Sequence, residues 1–264
     1  MTTGPFYPPG AGGGTPGAVS SQSLVYRKGA ASGGNVFGDW PSLYAVASAM
    51  PGVKNVVIDG SIAPCDVPAG AYSLDGFCFT SIQTNGSPAS VLTFANGATA
   101  TINESMVVGY GVTLAAAAAG AGAHITIGTG AAIQLFGGAT LLGSAARPLA
   151  SIGAGAYAIV LCNGSAGIGD TAHAAFTIAG ACYFVLLANS TLNANACTGA
   201  GSSNALADSS SVANSIIGGG TVTKLDDAAR MNYTPTTVAN WSGVAPTSVA
   251  NALDRIAAKI TPIP

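Results

Sequence analysis

The sequence predicts an all-β chain whose short strands stack into the rungs of a solenoid. Between about residues 53 and 223, short runs are apolar at nearly every position. Tight corners containing Gly, Asn or Ala-Gly separate these runs, and no stretch between them has helical periodicity. Strands of this kind need cover on both faces, which indicates stacked rungs rather than one compact core. The clearest runs are Val56–Ile58, Val91–Phe94, Met106–Val108, His124–Ile127, Ala132–Phe136, Ala158–Leu161 and Tyr183–Leu187.

The spacing of the corners is uneven. It is compatible with two or three strands per rung and does not fix the register. Cys162 and Cys182 lie about one rung apart, so we expect them to stack on neighbouring coils. No run matches the calcium-binding nonapeptide of β-rolls, which argues against a calcium-loaded solenoid.

The composition indicates an assembly protein. Only 7% of residues are charged, against about 25% in an average globular protein, while the 49% hydrophobic content argues against disorder. The net charge of −2 gives no electrostatic footprint for nucleic acid. A monomer with so little surface charge would be poorly soluble, so we expect much of its surface to be buried against copies of itself or a larger assembly.

Targeting signals and metal motifs are not recognisable. The start of the chain, 1–20, carries no Lys or Arg, and the most lipid-like stretch, 114–123, is too short to span a bilayer. We therefore expect no membrane insertion and synthesis in a reducing cytosol. None of the five cysteines forms a C-x-x-C motif, so we expect interior apolar side chains and neither a metal nor a cofactor site.

Residues 1–22 are predicted to form an extended Gly/Pro-rich attachment arm that cannot fold alone. Its contact residues are expected to be Pro5, Phe6, Tyr7, Pro8 and Pro9. A neighbouring subunit or another partner would have to order such a segment.

Residues 23–225 are predicted to form the β-solenoid domain, with a capping helix at 39–50. Asp39 is a suitable N-cap, Pro41 fits the first turn, and Pro51-Gly52 would end the helix. Leu43, Val46 or Ala47, and Met50 would share its apolar face. An amphipathic helix ahead of the first rung would protect an exposed solenoid end, although a partner-binding helix is the alternative.

Residues 226–264 are predicted to form a turn-rich linker and a helix at 247–260. Val249, Leu253, Ile256 and Ile260 have the spacing of a coiled-coil seam. Two heptads are too short to be stable alone. The helix would pack against the solenoid end or join a bundle, and we favour a trimer held together by these four residues.

The residues offer little for catalysis. Enzymes that hydrolyse polysaccharides commonly place two carboxylates about 5 to 9.5 Å apart. Asp59, Asp66 and Asp75 are close in sequence, but we expect Asp59 to close a strand and the other two to lie in turns. The remaining acids of the middle, Glu104, Asp170 and Asp208, are isolated in sequence, although stacked rungs could bring two together. Between residues 77 and 223 Arg147 is the only Lys or Arg. His124 and His173 are expected in turns or on the surface. We therefore predict no catalytic residues.

Two segments resemble a known family. The segment 38–44, followed by 56–59 and 67–74, resembles the start of a parallel right-handed β-helix of the pectate-lyase-like kind found in bacteriophage fibres and spikes. The tail, 241–243 and 246–257, is similar to a segment that recurs in phage virion proteins. The resemblance implies a homotrimeric protein that is made in the host cytoplasm and lies on the virion surface.

The expected function is therefore that of a non-enzymatic structural virion protein. It would form a trimeric appendage on the particle, as a capsid decoration or cement protein, a head fibre or a tail fibre, with other virion proteins as partners. The alternative is a host receptor-binding tailspike that contacts cell-surface glycan, with or without polysaccharide-degrading activity.

Overall fold

The computed structural model describes residues 23–81, 90–225 and 247. In these residues the chain forms 23 strands and one helix, α1 (Trp40–Ala49), and the strands wind into a parallel β-helix of about six turns. Each full turn gives one strand to each of three sheets, which we call A, B and C. The predicted all-β solenoid is confirmed, with three strands per rung.

The ten strands of sheet A lie in the spatial order β2-β1-β3-β6-β9-β12-β15-β18-β21-β23. Their bounds are β2 (Val36–Phe37), β1 (Leu24–Tyr26), β3 (Lys54–Ile58), β6 (Phe77–Ser81), β9 (Ser105–Gly109), β12 (Ala131–Phe136), β15 (Tyr157–Asn163), β18 (Ala181–Leu187), β21 (Ser202–Ala207) and β23 (Val222–Lys224).

Sheets B and C are narrower, and their strands also pair in parallel. Sheet B contains β4 (Cys65–Val67), β7 (Val91–Phe94), β10 (Thr113–Ala116), β13 (Thr140–Leu142), β16 (Gly167–Ile168), β19 (Thr191–Leu192) and β22 (Val212–Ala213). Sheet C contains β5 (Gly70–Ser73), β8 (Ala98–Ile102), β11 (Ile125–Ile127), β14 (Ala150–Ile152), β17 (Phe176–Ile178) and β20 (Cys197–Thr198).

The core runs along the axis of the solenoid. Because side chains alternate across a strand, Ala158, Val160 and Cys162 of β15 are buried in the interior, while Tyr157 and Ile159 face outward. Similar alternation in the other rungs fills the interior mainly with Ile, Leu, Val, Ala and Phe. The outward residues of the same strands form the surfaces that are open to partners.

The length of a rung varies along the chain, and this overturns one prediction. Cys162 of β15 pairs with Leu186 of β18, and Cys182 of β18 pairs with Ala158 of β15. The two cysteines do lie in adjacent rungs of sheet A, but they are out of register and do not stack on each other. Their spacing in sequence is shorter than this rung, because the corner loops differ in length from one rung to the next.

The corner between sheets A and B repeats one turn geometry. Pairs of consecutive residues with positive φ occur there in four successive rungs, at Tyr110-Gly111, Gly137-Gly138, Gly164-Ser165 and Ala188-Asn189. Backbone N–H groups of one turn donate to carbonyls of the next, as from Gly138 to Gly164. Half of these positions are glycine, which adopts positive φ without a steric penalty.

The predicted capping helix is confirmed. Asp39 is the N-cap and its Oδ1 accepts from the backbone N–H of Ser42 at 2.8 Å. Trp40, Leu43 and Ala47 are buried, so Ala47 rather than the exposed Val46 completes the apolar face. Pro41 lies in the first turn, where its missing N–H has no cost.

The start of the solenoid differs from the expectation in one respect. Strand β1 precedes the helix in sequence and pairs in parallel with β3, and β2 pairs with β1. Sheet A therefore extends past the helix by two strands. The run Leu24–Tyr26 has only three residues and is followed by two cations, so the sequence pattern alone does not predict a strand there.

Candidate functional surface

The outer face of sheet A is the most distinctive surface of the described chain. Strands β9, β12, β15, β18 and β21 place large apolar side chains on it. Four of these are 41% to 48% exposed: Tyr157, Ile159, Tyr183 and Leu206. Half-buried neighbours on the same face include Val107, Phe136, Leu161, Val185 and Leu187.

The strand register aligns these side chains in columns. Ala132, Ile159 and Tyr183 occupy paired positions on successive strands. Beside them, a second column is formed by Val107, Gln134, Leu161, Val185 and Leu206. Neighbouring strands lie about 4.8 Å apart, so each column is a nearly continuous apolar ridge.

Charge is almost absent from this sheet. Lys54 in β3 and Lys224 in β23 are the only charged residues in its described strands, and they lie near its two ends. Lys224 donates its Nζ hydrogens to the carbonyls of Asp208 and Ser211. The six strands between these lysines present neither cation nor anion to a partner.

The outer face of sheet C is different. A single column of hydroxyl side chains runs along its strands, and paired positions in five ladders connect it. Its members are Ser73, Thr101, Thr126, Ser151, Thr177 and Thr198. This face can form hydrogen bonds with water along its whole length, and it therefore contrasts with sheet A.

Two ion pairs join the first rung to the chain before the helix. Arg27 pairs with Asp59 at 2.6 Å and Lys28 with Asp66 at 2.7 Å. Desolvation by burial alone would raise the pKa of Asp59, but hydrogen bonds from Ser61 and Arg27 outweigh it and lower that pKa. Asp59 follows β3 as predicted, whereas Asp66 lies in β4 and not in a turn.

Two other carboxylates accept hydrogen bonds from backbone N–H groups of a neighbouring rung. Asp75, in a turn as predicted, accepts from the N–H groups of Asn103 and Glu104 through Oδ1, at 2.7 and 2.8 Å. Asp208 accepts from Ala188 N–H at 2.7 Å. Hydrogen bonds, chiefly the one from Ala188, lower the pKa of Asp208 to about 2.

The corner between sheets B and C contains Arg147 and Asp170, whereas Glu104 lies between β8 and β9, at the corner between sheets C and A. Arg147 is 6% exposed, and it donates from Nε to Gly122 O and from Nη1 to Ala119 O. It therefore fastens the Ala/Gly loop that precedes β11. In the next rung Asp170 contacts His173 Nδ1 at 2.8 Å.

His124 lies in the bend directly before β11 and is buried, so the alternative that places it on the surface is wrong. Its Nδ1 lies 2.8 Å from the Ala98 carbonyl, and Nε2 has no hydrogen-bond partner among the described residues. Desolvation lowers its pKa, and nearby Arg147 also lowers it. Both effects favour the neutral imidazole, which can lie in an apolar interior.

Most acidic side chains of the described residues each make a separate structural contact. Six of the seven in the described residues cap the helix, form ion pairs or hold backbone and side-chain donors: Asp39, Asp59, Asp66, Asp75, Asp170 and Asp208. In the same part of the chain no group of three His, Cys, Asp or Glu residues could hold a metal ion. No helix there is long and apolar enough to cross a membrane.

The site residues that the sequence predicts fall outside the described part of the chain. These are the arm residues Pro5, Phe6, Tyr7, Pro8 and Pro9 and the seam residues Val249, Leu253, Ile256 and Ile260. Sequence reasoning did not single out the outer face of sheet A. The signal was present, because runs such as Tyr157–Leu161 are apolar on both alternating faces.

Comparison with known proteins identifies no similar protein. No protein-family model, no curated protein and no solved structure matches the chain. Its function must therefore be inferred from the residues, from the fold and from the segment resemblance described above.

Proposed function

We propose that the chain is a non-enzymatic structural protein of a bacteriophage particle, where it forms a homotrimeric β-helical appendage on the virion surface. The observation that carries the proposal is the outer face of sheet A, which is uncharged over six successive strands and carries large apolar side chains on five of them. A surface of this kind is costly in water and favours a protein that functions in an assembly. The phage context comes from the resemblance of 38–44, 56–59 and 67–74 to β-helices of phage fibres and spikes, and of 241–243 and 246–257 to phage virion proteins.

The first test concerns position on the particle. Antibodies against the β-helix, viewed on purified particles by electron microscopy, should label the capsid or the tail in regular copy number. Deleting residues 1–22 should abolish incorporation into particles and leave the purified oligomer intact. Normal incorporation of that deletion variant would contradict attachment through the arm.

The alternative is a receptor-binding tailspike that contacts host glycan, with or without cleavage. The hydroxyl column of sheet C is the described feature that favours glycan contact, because hydroxyl groups can donate to and accept from sugar hydroxyls. Incubation of the pure protein with host polysaccharide, followed by measurement of new reducing ends, tests for cleavage. We expect no release of reducing ends.

A further inference from the structure

The outer face of sheet A raises the question of what covers it. Four exposed residues, Tyr157, Ile159, Tyr183 and Leu206, lie on strands that are neighbours in the sheet. Single exposed apolar residues are ordinary on a soluble protein, but a contiguous patch marks an interaction site. We propose that this face is the contact surface for a second copy of the same chain, an inference that rests on the proposed homo-oligomeric function.

The size of the face suits such a contact. Six strands, from β6 to β21, are free of charge and contain five to seven residues each. With strands about 4.8 Å apart and a rise of about 3.3 Å per residue, the patch measures about 30 Å by about 20 Å, or about 600 Å². Two such patches would bury about 1,200 Å² in total, the lower limit for specific stable interfaces.

The chemistry of the face selects the partner. A nucleic acid would require cations on these strands, and there are none. A glycan would require several adjacent hydrogen-bonding groups. On this face the amide side chains are separated, because Gln134, Asn163 and Asn204 are paired across the strands with Leu161, Leu187 and Tyr183. A second copy carries the same uncharged apolar ridges. Its sheet A face can therefore pack against this one without any pairing of opposite charges.

The hydroxyl column of sheet C identifies the face that stays in water. Thr126 and Thr198 are exposed there, and no apolar ridge accompanies them. The assembly therefore places sheet A at the contact between copies and sheet C outside. This contrast provides a matched control on the same solenoid.

The test introduces one lysine at a time into the full-length chain. Ile159→Lys and Tyr183→Lys place a charge on the sheet A face, and Thr126→Lys places the same charge on sheet C. A lysine buried without a partner weakens association strongly, so we expect each sheet A variant to raise the dissociation constant between copies at least tenfold. Thr126→Lys should leave it unchanged. Light scattering and sedimentation equilibrium give the masses, and circular dichroism confirms that the fold is retained.

The outcomes separate this inference from the proposed function. The inference is supported if the wild-type protein has a mass in solution that is a multiple of 25.5 kDa and if the masses of the sheet A variants shift toward that of the monomer. A wild-type oligomer that survives both lysines overturns the inference and leaves the homo-oligomer in place. A wild-type monomer at all concentrations overturns both; particle labelling tests the virion role separately. If a lysine variant misfolds, Tyr183→Ser replaces it, and an unchanged dissociation constant then also counts against the inference.

Discussion

Trp40 provides the sharpest test of how the first rung is closed. Its side chain is 1% exposed and lies against five other aromatic rings at centroid distances of 5.7 to 6.4 Å. These rings belong to Tyr26, Tyr44, Tyr72, Phe77 and Phe79, which come from β1, α1 and the first two rungs. Trp40 therefore joins the helix to the end of the solenoid.

The expected cost of Trp40→Ala follows from the area that this side chain buries. A buried aromatic side chain covers about 200 Å², which at about 25 cal/mol per Å² is about 5 kcal/mol. Measured large-to-small changes of buried Phe and Trp fall at about 3 to 5 kcal/mol. We therefore expect Trp40→Ala to lower the free energy of unfolding by about 4 kcal/mol and to open the first rungs.

Trp40→Phe separates packing from hydrogen bonding. Among the described residues the Nε1–H of Trp40 has no acceptor, and a buried donor without a partner costs about 1 to 3 kcal/mol. Phenylalanine removes that donor while it gives up part of the ring area. These two terms oppose each other, so the free energy of unfolding should stay within about 1 kcal/mol of the wild type.

The assay is urea unfolding followed by far-ultraviolet circular dichroism, with hydrogen exchange of β1 and β3 as a local readout. Val46→Ala, on the exposed side of the same helix, is the control and should change stability by less than about 0.5 kcal/mol. A Trp40→Ala cost below about 1 kcal/mol would refute the assigned role of the cap. A Trp40→Phe variant as unstable as Trp40→Ala would show that the indole N–H has an acceptor.

Two further predictions concern corners. A Cβ on Gly180 would lie 2.0 Å from the Ala156 carbonyl oxygen, whereas a Cβ on Gly153 would meet nothing within 4 Å. Gly180→Ala should therefore lower the free energy of unfolding by more than about 2 kcal/mol, and Gly153→Ala should leave it unchanged or raise it slightly. Thermal melting of the two variants measures both effects. The pKa of Asp208 is lowered to about 2 in the folded protein, so its stabilising contribution is complete above the ordinary aspartate pKa and is lost as the pH falls from about 4 through about 2. Asp208→Asn should therefore show a smaller fall in Tm between pH 5 and pH 2 than the wild type, and an identical fall would contradict the assignment.

Much of the fold could be predicted from local chemistry. The helix is predictable because Asp39, Pro41 and Pro51-Gly52 supply its start and its end within one short segment. The strands of the middle are predictable because runs such as Ala132–Phe136 are apolar at nearly every position. Both signals lie within a few residues of sequence, although the strands themselves form only by pairing with neighbouring rungs.

The register was not predictable because it depends on contacts distant in sequence. Lys54 pairs with Phe77, whereas Ala205 pairs with Val222, which is a clearly shorter step along the chain. The number of residues per rung differs because the corner loops differ in length. The sequence alone does not show which corner of a rung is longer or shorter. The buried place of His124 also depends on the neighbouring rung, whose Ala98 carbonyl meets its imidazole.

The two ends of the solenoid, as far as the described residues show them, bear on how the proposed copies would associate. At the first end, β1 and β2 extend sheet A and α1 packs against these two strands. At the other end, Asp208 accepts from the backbone N–H of Ala188, and Lys224 in the last strand donates to the carbonyls of Asp208 and Ser211. A lysine on an edge strand opposes pairing with a further strand. The described ends thus carry a helix at one end and an edge lysine at the other, while the side of sheet A is apolar. If copies associate as proposed above, we therefore expect them to pair side by side rather than end to end.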